Sequence, residues 1–323
     1  MTRYLRLDEF SPPPQGCVLS VGNFDGVHRG HAALVQRARQ AAEWCDAPVV
    51  LATFDPHPLT LLAPAKAPPR LTTIDERAEL LRSVGATTVI VLNTDWDLLN
   101  QTAEEFLRRI VERCRPRAFV EGPTFHFGRG RTGSVTTLRE HAVRFGYEAI
   151  VLDEIECPEL PGCPAINSSA IRDAIRSGQV DHAATMLGRP YRISGVVGSG
   201  QQRGASIGFP TANLTAIEHL LPRHAVYSAV AQLDDVSFHL AAVNLGPQPT
   251  FDQQTAAVEA HLIDFAGDLR GRRVGLHLCA WLRDQVKFNG VEELKNQLVR
   301  DVERARQAAC VRDALRAGPH IAV

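Results

Sequence analysis

Short apolar runs alternate with amphipathic stretches through the first half of the chain. The runs are rich in β-branched residues, and the stretches between them repeat their apolar positions with helical spacing. Five runs predict strands, over residues 18–21, 49–54, 88–92, 118–120 and 149–152. Because strands that alternate with helices pair in parallel through crossovers, this half predicts a doubly wound α/β domain.

Polar residues at the ends of the amphipathic stretches indicate where helices begin. Thr102 and Glu105 have the spacing of a capping box, in which two side chains satisfy the first N–H groups of a helix. Asp75 is expected to open another helix, which ends before Gly85. Two short helices are predicted after the last strand, over residues 168–176 and 180–187.

The pattern changes after Leu187, where apolar runs follow one another without helices between them. They predict strands over residues 193–197, 226–233, 238–245, 257–264 and 274–282, which favour an antiparallel β-barrel. Asn289, with Glu292 three residues on, predicts the start of a long C-terminal helix over residues 291–316 that packs on the sheet. We therefore predict two domains, residues 1–186 and residues 187–323.

Composition narrows the class of partner and the compartment. Among 323 residues, 35 Lys and Arg balance 36 Asp and Glu, which argues against nucleic-acid or membrane binding and favours small-molecule partners. Seven widely spaced cysteines indicate reduced thiols rather than a disulfide framework or a zinc site. Because we find no signal-peptide or membrane-span pattern, we expect a cytoplasmic protein, either a monomer or a weak homo-oligomer.

The strongest chemical signal is the segment at residues 22–31, after the first predicted strand and at the start of a helix. A glycine-bearing turn lets backbone N–H groups approach phosphates, and a helix N-terminus favours their charge. Gly22 and Gly26 supply this turn and are expected beside the phosphates of ATP. His28 and His31 share one helix face, where they would stabilise charge during adenylyl transfer. The alternative is that they only cap the helix or bind a metal.

Two further segments are expected to converge on the same crevice, because parallel sheets bind ligands at the carboxyl ends of their strands. The second predicted strand ends in three candidates for binding the other substrate: Phe54, His57 and Pro58. A helix start supplies hydroxyl and guanidinium groups suited to a triphosphate: Ser168, Ser169 and Arg172. An ordinary serine-capped helix is the alternative for the second set.

A loop rich in glycine and aromatic residues, residues 121–133, follows the fourth predicted strand. Aromatic side chains stack on flat rings and arginines pair with phosphate, so the loop suits a flat, phosphorylated ligand. Its candidate residues are Thr124, Phe125, Phe127, Arg129 and Arg131. Core packing of the two phenylalanines is the alternative.

The second half carries a glycine-rich loop at residues 198–214 that lacks the spacing of a P-loop. Gly204 and Gly208 would help to place backbone amides around phosphates. Thr211 and Asn213 offer hard oxygen ligands of the kind that Mg²⁺ binds beside phosphate oxygens. The segment predicts a metal–ATP site, and the alternative is a surface loop with an Asx turn at Asn213.

The alternation of apolar and polar residues after residue 257 predicts which side chains face away from the barrel core. One strand face would carry Glu259, His261 and Ile263, and the other Val258, Ala260, Leu262 and Asp264. A carboxylate beside a bound alcohol can accept its proton during phosphoryl transfer, so Glu259 is the candidate base; a solvated strand glutamate is the alternative. Arg283 and Lys287 are weaker candidates for neutralising phosphate.

Taken in order, these segments resemble the prokaryotic bifunctional riboflavin kinase/FAD synthetase family. The most specific strings are Gly-Asn-Phe-Asp-Gly-Val-His-Arg-Gly-His at residues 22–31 and Gly-Phe-Pro-Thr-Ala-Asn at residues 208–213. The resemblance implies an N-terminal FMN adenylyltransferase domain of the nucleotidyltransferase superfamily and a C-terminal six-stranded barrel with riboflavin kinase activity. ATP, Mg²⁺ and flavins are then the expected ligands, and the candidates at residues 54–58 and 124–131 become flavin-binding residues.

By this resemblance His28 and His31 carry adenylyl transfer, Thr211 and Asn213 bind Mg²⁺–ATP, and Glu259 is the base on the ribityl 5′-hydroxyl. The resemblance also places Asn23 and Phe24 at the ATP phosphates, together with Ser168, Ser169 and Arg172. Riboflavin and ATP would give FMN, and FMN and ATP would give FAD with release of pyrophosphate.

The chain departs from the family pattern at several positions. The unusual positions are Glu121, Pro123, Thr124, residues 167–170, Ala205, Ala225 and Arg270. Thr124 stands where the family usually has Asp. Two alternatives therefore stay open, a paralogue that acts on a modified flavin and a flavin-binding or regulatory protein with one site silent. A cytidylyl- or pantetheine-phosphate adenylyltransferase would explain the first half alone.

Overall fold

A computed structural model describes residues 4–162, 165–198, 207–233, 237–247 and 256–308. The chain divides into two units. The first contains the residues up to Pro69 together with Thr73–Asn167, and the second contains Arg70–Thr72 and the residues from Ser168 onward. The two short helices predicted before residue 187 lie in the second unit.

The first unit is built on a parallel β-sheet with crossover helices. Its strands are β1 (Leu5–Arg6), β2 (Cys17–Gly22), β3 (Val49–Asp55), β4 (Thr88–Asn93), β5 (Pro116–Glu121), β6 (His126–Phe127), β7 (Gly133–Ser134) and β8 (Glu148–Val151). Its helices are α1 (Arg29–Cys45), α2 (Leu59–Leu62), α3 (Ile74–Ser83), α4 (Trp96–Leu99), α5 (Ala103–Cys114) and α6 (Val135–Phe145). Six strands pair in parallel in the order β1-β4-β3-β2-β5-β8, which confirms the doubly wound α/β prediction.

Burial of alternate strand residues explains why helices cover this sheet. One apolar cluster joins Leu19 and Phe119 of the central strands to Phe106 of α5 and Leu138 of α6. Strand residues between these positions point to the opposite face, and there α1 packs against β2 and β5 with Val35 fully buried. The sheet is therefore buried on both faces, as its nearly continuous apolar strands require.

Two helix starts of the first unit can be compared with the sequence signals, and one of them is displaced. Thr102 and Glu105 form the predicted capping box, with the Thr102 N–H donating to Glu105 Oε2 at 2.8 Å. Thr73 caps α3, whereas Asp75, which was predicted to open that helix, lies in its first turn. Strand β1 was not predicted, because two residues carry no readable alternation.

The second unit contains two helices, a barrel and a final helix. Its elements are α7 (Ser168–Ser177), α8 (Val180–Leu187), β9 (Tyr191–Gly198), β10 (Ala212–Thr215), β11 (Ala225–Leu233), β12 (Ser237–Pro247), β13 (Ala256–Leu262), β14 (Arg273–Arg283) and α9 (Val291–Gln307). The six strands close into a barrel in the order β10-β13-β12-β11-β14-β9, and every neighbouring pair is antiparallel. The barrel prediction is confirmed, and β10 is the strand that the sequence pattern did not show.

Helix α9 packs on the outside of the barrel, where Ala305 meets a small buried cluster with Val226, Ile263 and Leu282. The predicted cap is wrong by one residue at each position: Gly290 occupies the N-cap, and the Asn289 N–H donates to Glu293. The helix ends at Gln307, and residues 309–316 of the predicted helix lie outside the described residues.

Arg283 and Asp301 form an ion pair that joins β14 to α9. Arg283 Nη2 lies 2.7 Å from Asp301 Oδ2 and Nε lies 2.9 Å from Oδ1, while Asp301 is only 1% exposed. Gln297 also donates to the Asp301 carboxylate. The Arg283 guanidinium, which the sequence offered for phosphate, therefore helps to hold α9 on the barrel, and its approach to phosphate stays a prediction.

We expect Asp301→Ala to lower the free energy of unfolding of the second unit by about 3 kcal/mol, because it leaves a mostly buried guanidinium without its partner. Denaturant unfolding followed by circular dichroism measures the change. The matched control is Asp268→Ala, which breaks an exposed pair with Arg270 and should leave the transition unchanged. Equal shifts for the two variants would contradict a special role for Asp301.

Candidate active sites

The loop between β2 and α1 has an unusual backbone. Phe24 and Val27 have φ values of 47° and 41°, and Gly26 has 86°. Residues other than glycine rarely adopt positive φ values, and such backbone strain concentrates at functional loops. The Phe24 ring lies over Gly22, where an added Cβ would come within 3.2 Å of it. The central strand thus ends in a tight turn that leads directly to the N-terminus of α1.

His28 and His31 contact each other at that N-terminus, with their rings stacked at a centroid distance of 3.6 Å. Nδ1 of His28 accepts the His31 N–H at 3.3 Å, and Nδ1 of His31 accepts the His28 N–H at 3.4 Å. The histidines therefore do cap the helix. Because each Nδ1 accepts a hydrogen bond, a neutral imidazole carries its proton on Nε2, which suits donation to a phosphate oxygen. Capping and phosphate binding are compatible in one side chain.

A buried network ties this loop to the carboxyl end of β3. Arg77 of α3 pairs with Asp25 at 3.4 Å, and both side chains are about 95% buried. The Arg77 guanidinium also donates to Thr53 Oγ1 and to the Phe54 carbonyl, and Thr53 Oγ1 donates to the Asn23 carbonyl at 2.9 Å. These bonds fix the loop against the neighbouring strand.

The candidates that follow β3 lie at the same edge of the sheet. Phe54, His57 and Pro58 are all half-buried. His57 Nδ1 accepts the Leu59 N–H at 3.1 Å, which orients the ring at the start of α2. Flavin binding by these three residues stays a prediction.

The loop after β5 divides into an exposed part and a packed part. Thr124, Arg129 and Arg131 are exposed, whereas Phe127 is 6% exposed and packs in the core beside Phe106. Phe125 stacks on Phe127 at 5.2 Å. Phe127 thus has the packing role that the sequence left as the alternative, and flavin contact by the loop stays a prediction.

Ser168, Ser169 and Arg172 lie in the first turns of α7, within the second unit. Arg172 is buried, Ser168 is half-buried and Ser169 is exposed. Their approach to the triphosphate stays a prediction.

Three polar side chains lie side by side across the barrel, and we call Asn213, Glu259 and Asn244 the polar row. Glu259 of β13 pairs in register with Asn213 of β10 on one side and with Asn244 of β12 on the other. Asn244 Nδ2 lies 3.5 Å from Glu259 Oε2, and Gln285 Nε2 donates to Asn244 Oδ1 at 2.9 Å. The Asn244 amide thus orients the Glu259 carboxylate, and the Gln285 amide in turn orients the Asn244 side chain.

The predicted alternation along β13 is confirmed as far as Leu262. Val258, Ala260 and Leu262 are buried, and Glu259 and His261 are half-buried. The strand ends there, so the positions predicted for the next two residues are wrong. Ile263 is buried beneath α9, and Asp264 is exposed with a φ of 58°.

The segment before β10 packs against β13. His261 Nδ1 lies 2.8 Å from the Pro210 carbonyl oxygen, and its ring contacts Phe209 edge-on. Gly208 has a φ of 88° and is exposed, as is Thr211. Asn213 lies inside a strand rather than in the predicted loop, and Gly204 and Ala205 lie outside the described residues.

Two departures from the family pattern, Ala225 and Arg270, lie after β10 within the described residues. Ala225 begins β11 and is fully buried. Arg270 is exposed, and its guanidinium pairs with the carboxylate of Asp268. The pairing keeps the Arg270 side chain at a surface turn.

Within the described ranges, the structure holds free thiols at Cys17, Cys45, Cys114, Cys157 and Cys279. No group of three or more His, Cys, Asp or Glu side chains in that part of the chain could hold a metal ion. None of the helices seen there has the length and apolarity needed to cross a membrane.

Comparison with known proteins identifies the family. The FAD synthetase family model matches residues 11–161, and the riboflavin kinase model matches residues 187–309. The bifunctional riboflavin kinase/FMN adenylyltransferase of Escherichia coli K12 is 36% identical over 91% of this chain and 93% of its own. The Pseudomonas fluorescens protein of the same name is 34% identical over 94% and 96%.

A solved structure, that of a macrolide-efflux protein from Streptococcus pneumoniae, is 29% identical and superposes with a TM-score of 0.84. It covers 93% of this chain and 97% of its own. Together with the two family matches, the parallel sheet and the closed barrel, these relatives show that the chain belongs to the bifunctional riboflavin kinase/FMN adenylyltransferase family, whose members are transferases.

Proposed function

We propose that two separate sets of residues perform the two reactions of this enzyme. The loop at residues 22–31 binds ATP for adenylyl transfer to FMN, and the polar row with Thr211 performs phosphoryl transfer to riboflavin. The register that sets Glu259 between Asn213 and Asn244 is the observation that carries the kinase assignment. The stacked histidines at the start of α1 support the assignment of the other site.

Adenylyl transfer needs alignment and charge stabilisation rather than a protein nucleophile. An oxygen of the FMN phosphate attacks the α-phosphorus of ATP, and the bond from that phosphorus to the pyrophosphate oxygen breaks. His28 and His31 donate from Nε2 to phosphate oxygens, and the N-terminus of α1 adds a favourable dipole. Ser168, Ser169 and Arg172 are proposed to hold the triphosphate.

Phosphoryl transfer needs a base for the attacking alcohol. Glu259 accepts the proton of the ribityl 5′-hydroxyl while that oxygen bonds to the γ-phosphorus and ADP leaves. Asn244 donates to one carboxylate oxygen, so the acceptor is held in one orientation before the alcohol arrives.

The donors beside Glu259 fit Mg²⁺ bound with ATP. Thr211 and Asn213 offer neutral oxygen ligands, one just before β10 and one on it next to the carboxylate. Such a pair suits a hard cation that takes its remaining ligands from phosphate oxygens and water. When bound, the ion would neutralise charge on the transferring phosphate.

The domain bounds, the class of substrate, the location and the oligomeric state belong to the same proposal. Residues 1–186 would form the adenylyltransferase domain and residues 187–323 the kinase domain, and the two family matches fall on either side of that division. Small-molecule substrates fit the balanced charge of the chain, and a cytoplasmic location and a monomeric or weakly associated state are proposed with them. Flavin is proposed to bind beside the residues that follow β3 and β5.

Chromatographic separation of flavins tests the function. Purified protein with ATP, Mg²⁺ and riboflavin should form FMN and then FAD, and protein given FMN should release pyrophosphate. FMN that accumulates without FAD would support the alternative with one silent site. A modified flavin that outcompetes riboflavin and FMN would support the paralogue, and faster turnover with CTP than with ATP would exclude FAD synthesis as the main reaction.

A further inference from the structure

The order in which the chain adds strands to the parallel sheet changes direction at β2. From this strand the chain adds β3 and β4 on one side, and β5 and β8 on the other. In open parallel sheets such a reversal opens a crevice outside the carboxyl ends of the two central strands, and ligands bind there. The crevice of this sheet lies between the end of β2 at Gly22 and the end of β5 at Glu121.

Glu121 joins the two strands just where they separate. Backbone pairing of β2 with β5 extends to Leu19 and Phe119. Further along, the Val21 N–H donates to Glu121 Oε1 at 2.8 Å, and Ser20 Oγ lies 3.3 Å from Oε2. The Glu121 side chain thus continues the hydrogen bonding between β2 and β5 beyond their backbone pairing, directly before the loop that leads to the two histidines.

The Glu121 carboxyl is 2% exposed. Burial raises its pKa well above the ordinary value, and the hydrogen bonds from Val21 and Ser20 only partly oppose that rise. Its neighbours on the flanking strands are not titratable: Ser20 and Val21 lie on β2, and Val151 pairs with it on β8. No charged side chain among the described residues contributes to the shift.

A neutral carboxyl keeps both contacts. Oε1 still accepts the Val21 N–H, and a protonated Oε2 donates to the Ser20 hydroxyl oxygen. It also adds no negative charge to a crevice that is expected to hold phosphates.

We propose that Glu121 is a positioning residue for adenylyl transfer, whose carboxyl group bridges β2 and β5 through Val21 and Ser20 and thereby sets the ATP-binding loop at residues 22–31. The inference rests on the proposed assignment of that loop to ATP. Glu121 acts through the Val21 backbone, which directly precedes the loop, and needs no contact with substrate.

Two variants separate this role from a purely structural one. Glu121→Gln reproduces both contacts of the neutral acid, so its FMN adenylylation should stay within about twofold of wild type. Glu121→Leu keeps most of the volume but leaves the Val21 N–H without its acceptor, so we expect the KM for ATP to rise about tenfold or more in that reaction. Riboflavin kinase activity of the same polypeptide should remain unchanged in both variants.

The outcomes are distinct. A wild-type protein that makes no FAD from FMN would refute the proposed function itself. A wild-type protein that makes FAD, with a Glu121→Leu variant of equal KM and kcat, would overturn the positioning role. Loss of both activities in Glu121→Leu would also overturn it, because that result marks a structural residue.

Thermal unfolding against pH tests the charge state without measuring activity. A carboxyl whose pKa rises on folding keeps a proton that the unfolded chain releases, so wild-type stability falls as the pH rises above the ordinary value of 4.5. Glutamine does not titrate. The Tm of Glu121→Gln should therefore exceed that of wild type by a margin that grows with pH. A margin that stays constant with pH would overturn the inference that Glu121 is protonated in the folded protein.

Discussion

Replacing Glu259 with glutamine should stop FMN formation from riboflavin and leave FAD formation from FMN at the wild-type rate. The amide keeps the size of the side chain and can still accept the Asn244 contact through its carbonyl oxygen, but it cannot take a proton from the ribityl hydroxyl. Loss of a general base costs about 10³-fold in kcat, with little change in the KM for ATP or riboflavin. Single-turnover assays with chromatographic separation of the flavins measure both reactions.

Glu303→Gln is a suitable control, because Glu303 is an exposed glutamate on α9 of the same unit. It should leave both reactions unchanged. A Glu259→Gln variant that phosphorylates riboflavin at the wild-type rate would show that Glu259 is the solvated strand glutamate left open by the sequence.

Removing the His28 imidazole should have the opposite selectivity, with FAD formation lost and FMN formation retained. Asparagine is the informative substitute, since it caps helices well and so keeps the start of α1 while removing the Nε2 donor. Loss of one preorganised donor to developing charge costs about 10²-fold or more in kcat. His28→Ala removes the cap as well, and we expect an additional loss of about 1 kcal/mol in stability.

The comparison between the two His28 variants decides what the residue does. His28→Asn with wild-type FAD formation, together with a His28→Ala variant impaired only in thermal stability, would mean that the histidine caps a helix and no more. His141→Asn controls for loss of a histidine elsewhere in the first unit, because His141 lies on α6 and its Nδ1 contacts the Thr137 carbonyl.

The sequence pattern was most informative where periodicity and burial agree. Strands β2 to β5 are apolar on both faces, as buried parallel strands must be, and β13 alternates cleanly, so the alternation alone was enough to place Glu259 outside the barrel core. Strand β10 escaped prediction because its four residues follow a glycine-rich segment, and only closure of the barrel reveals them as a strand.

Contacts between elements distant in sequence could not be predicted. Arg77 lies in an amphipathic helix, where an arginine is typically solvated, and only the fold brings it to Asp25 and Thr53. Glu121 gave a weak signal, a carboxylate at the end of an apolar strand, but its partners lie 100 residues away. The polar row likewise depends on register across three strands.

That register governs which kinds of genetic change the kinase domain can tolerate. Residues of β13 alternate strictly between core and exterior, so inserting or deleting one residue before Glu259 would turn the carboxylate inward and push an alanine or valine into its place. Point substitutions leave the alternation intact. Evolution can therefore exchange the outward-facing side chains of β13 other than Glu259 and vary the length of its connecting loops, while a single-residue length change within the strand would turn the proposed base inward and disrupt the core in one event.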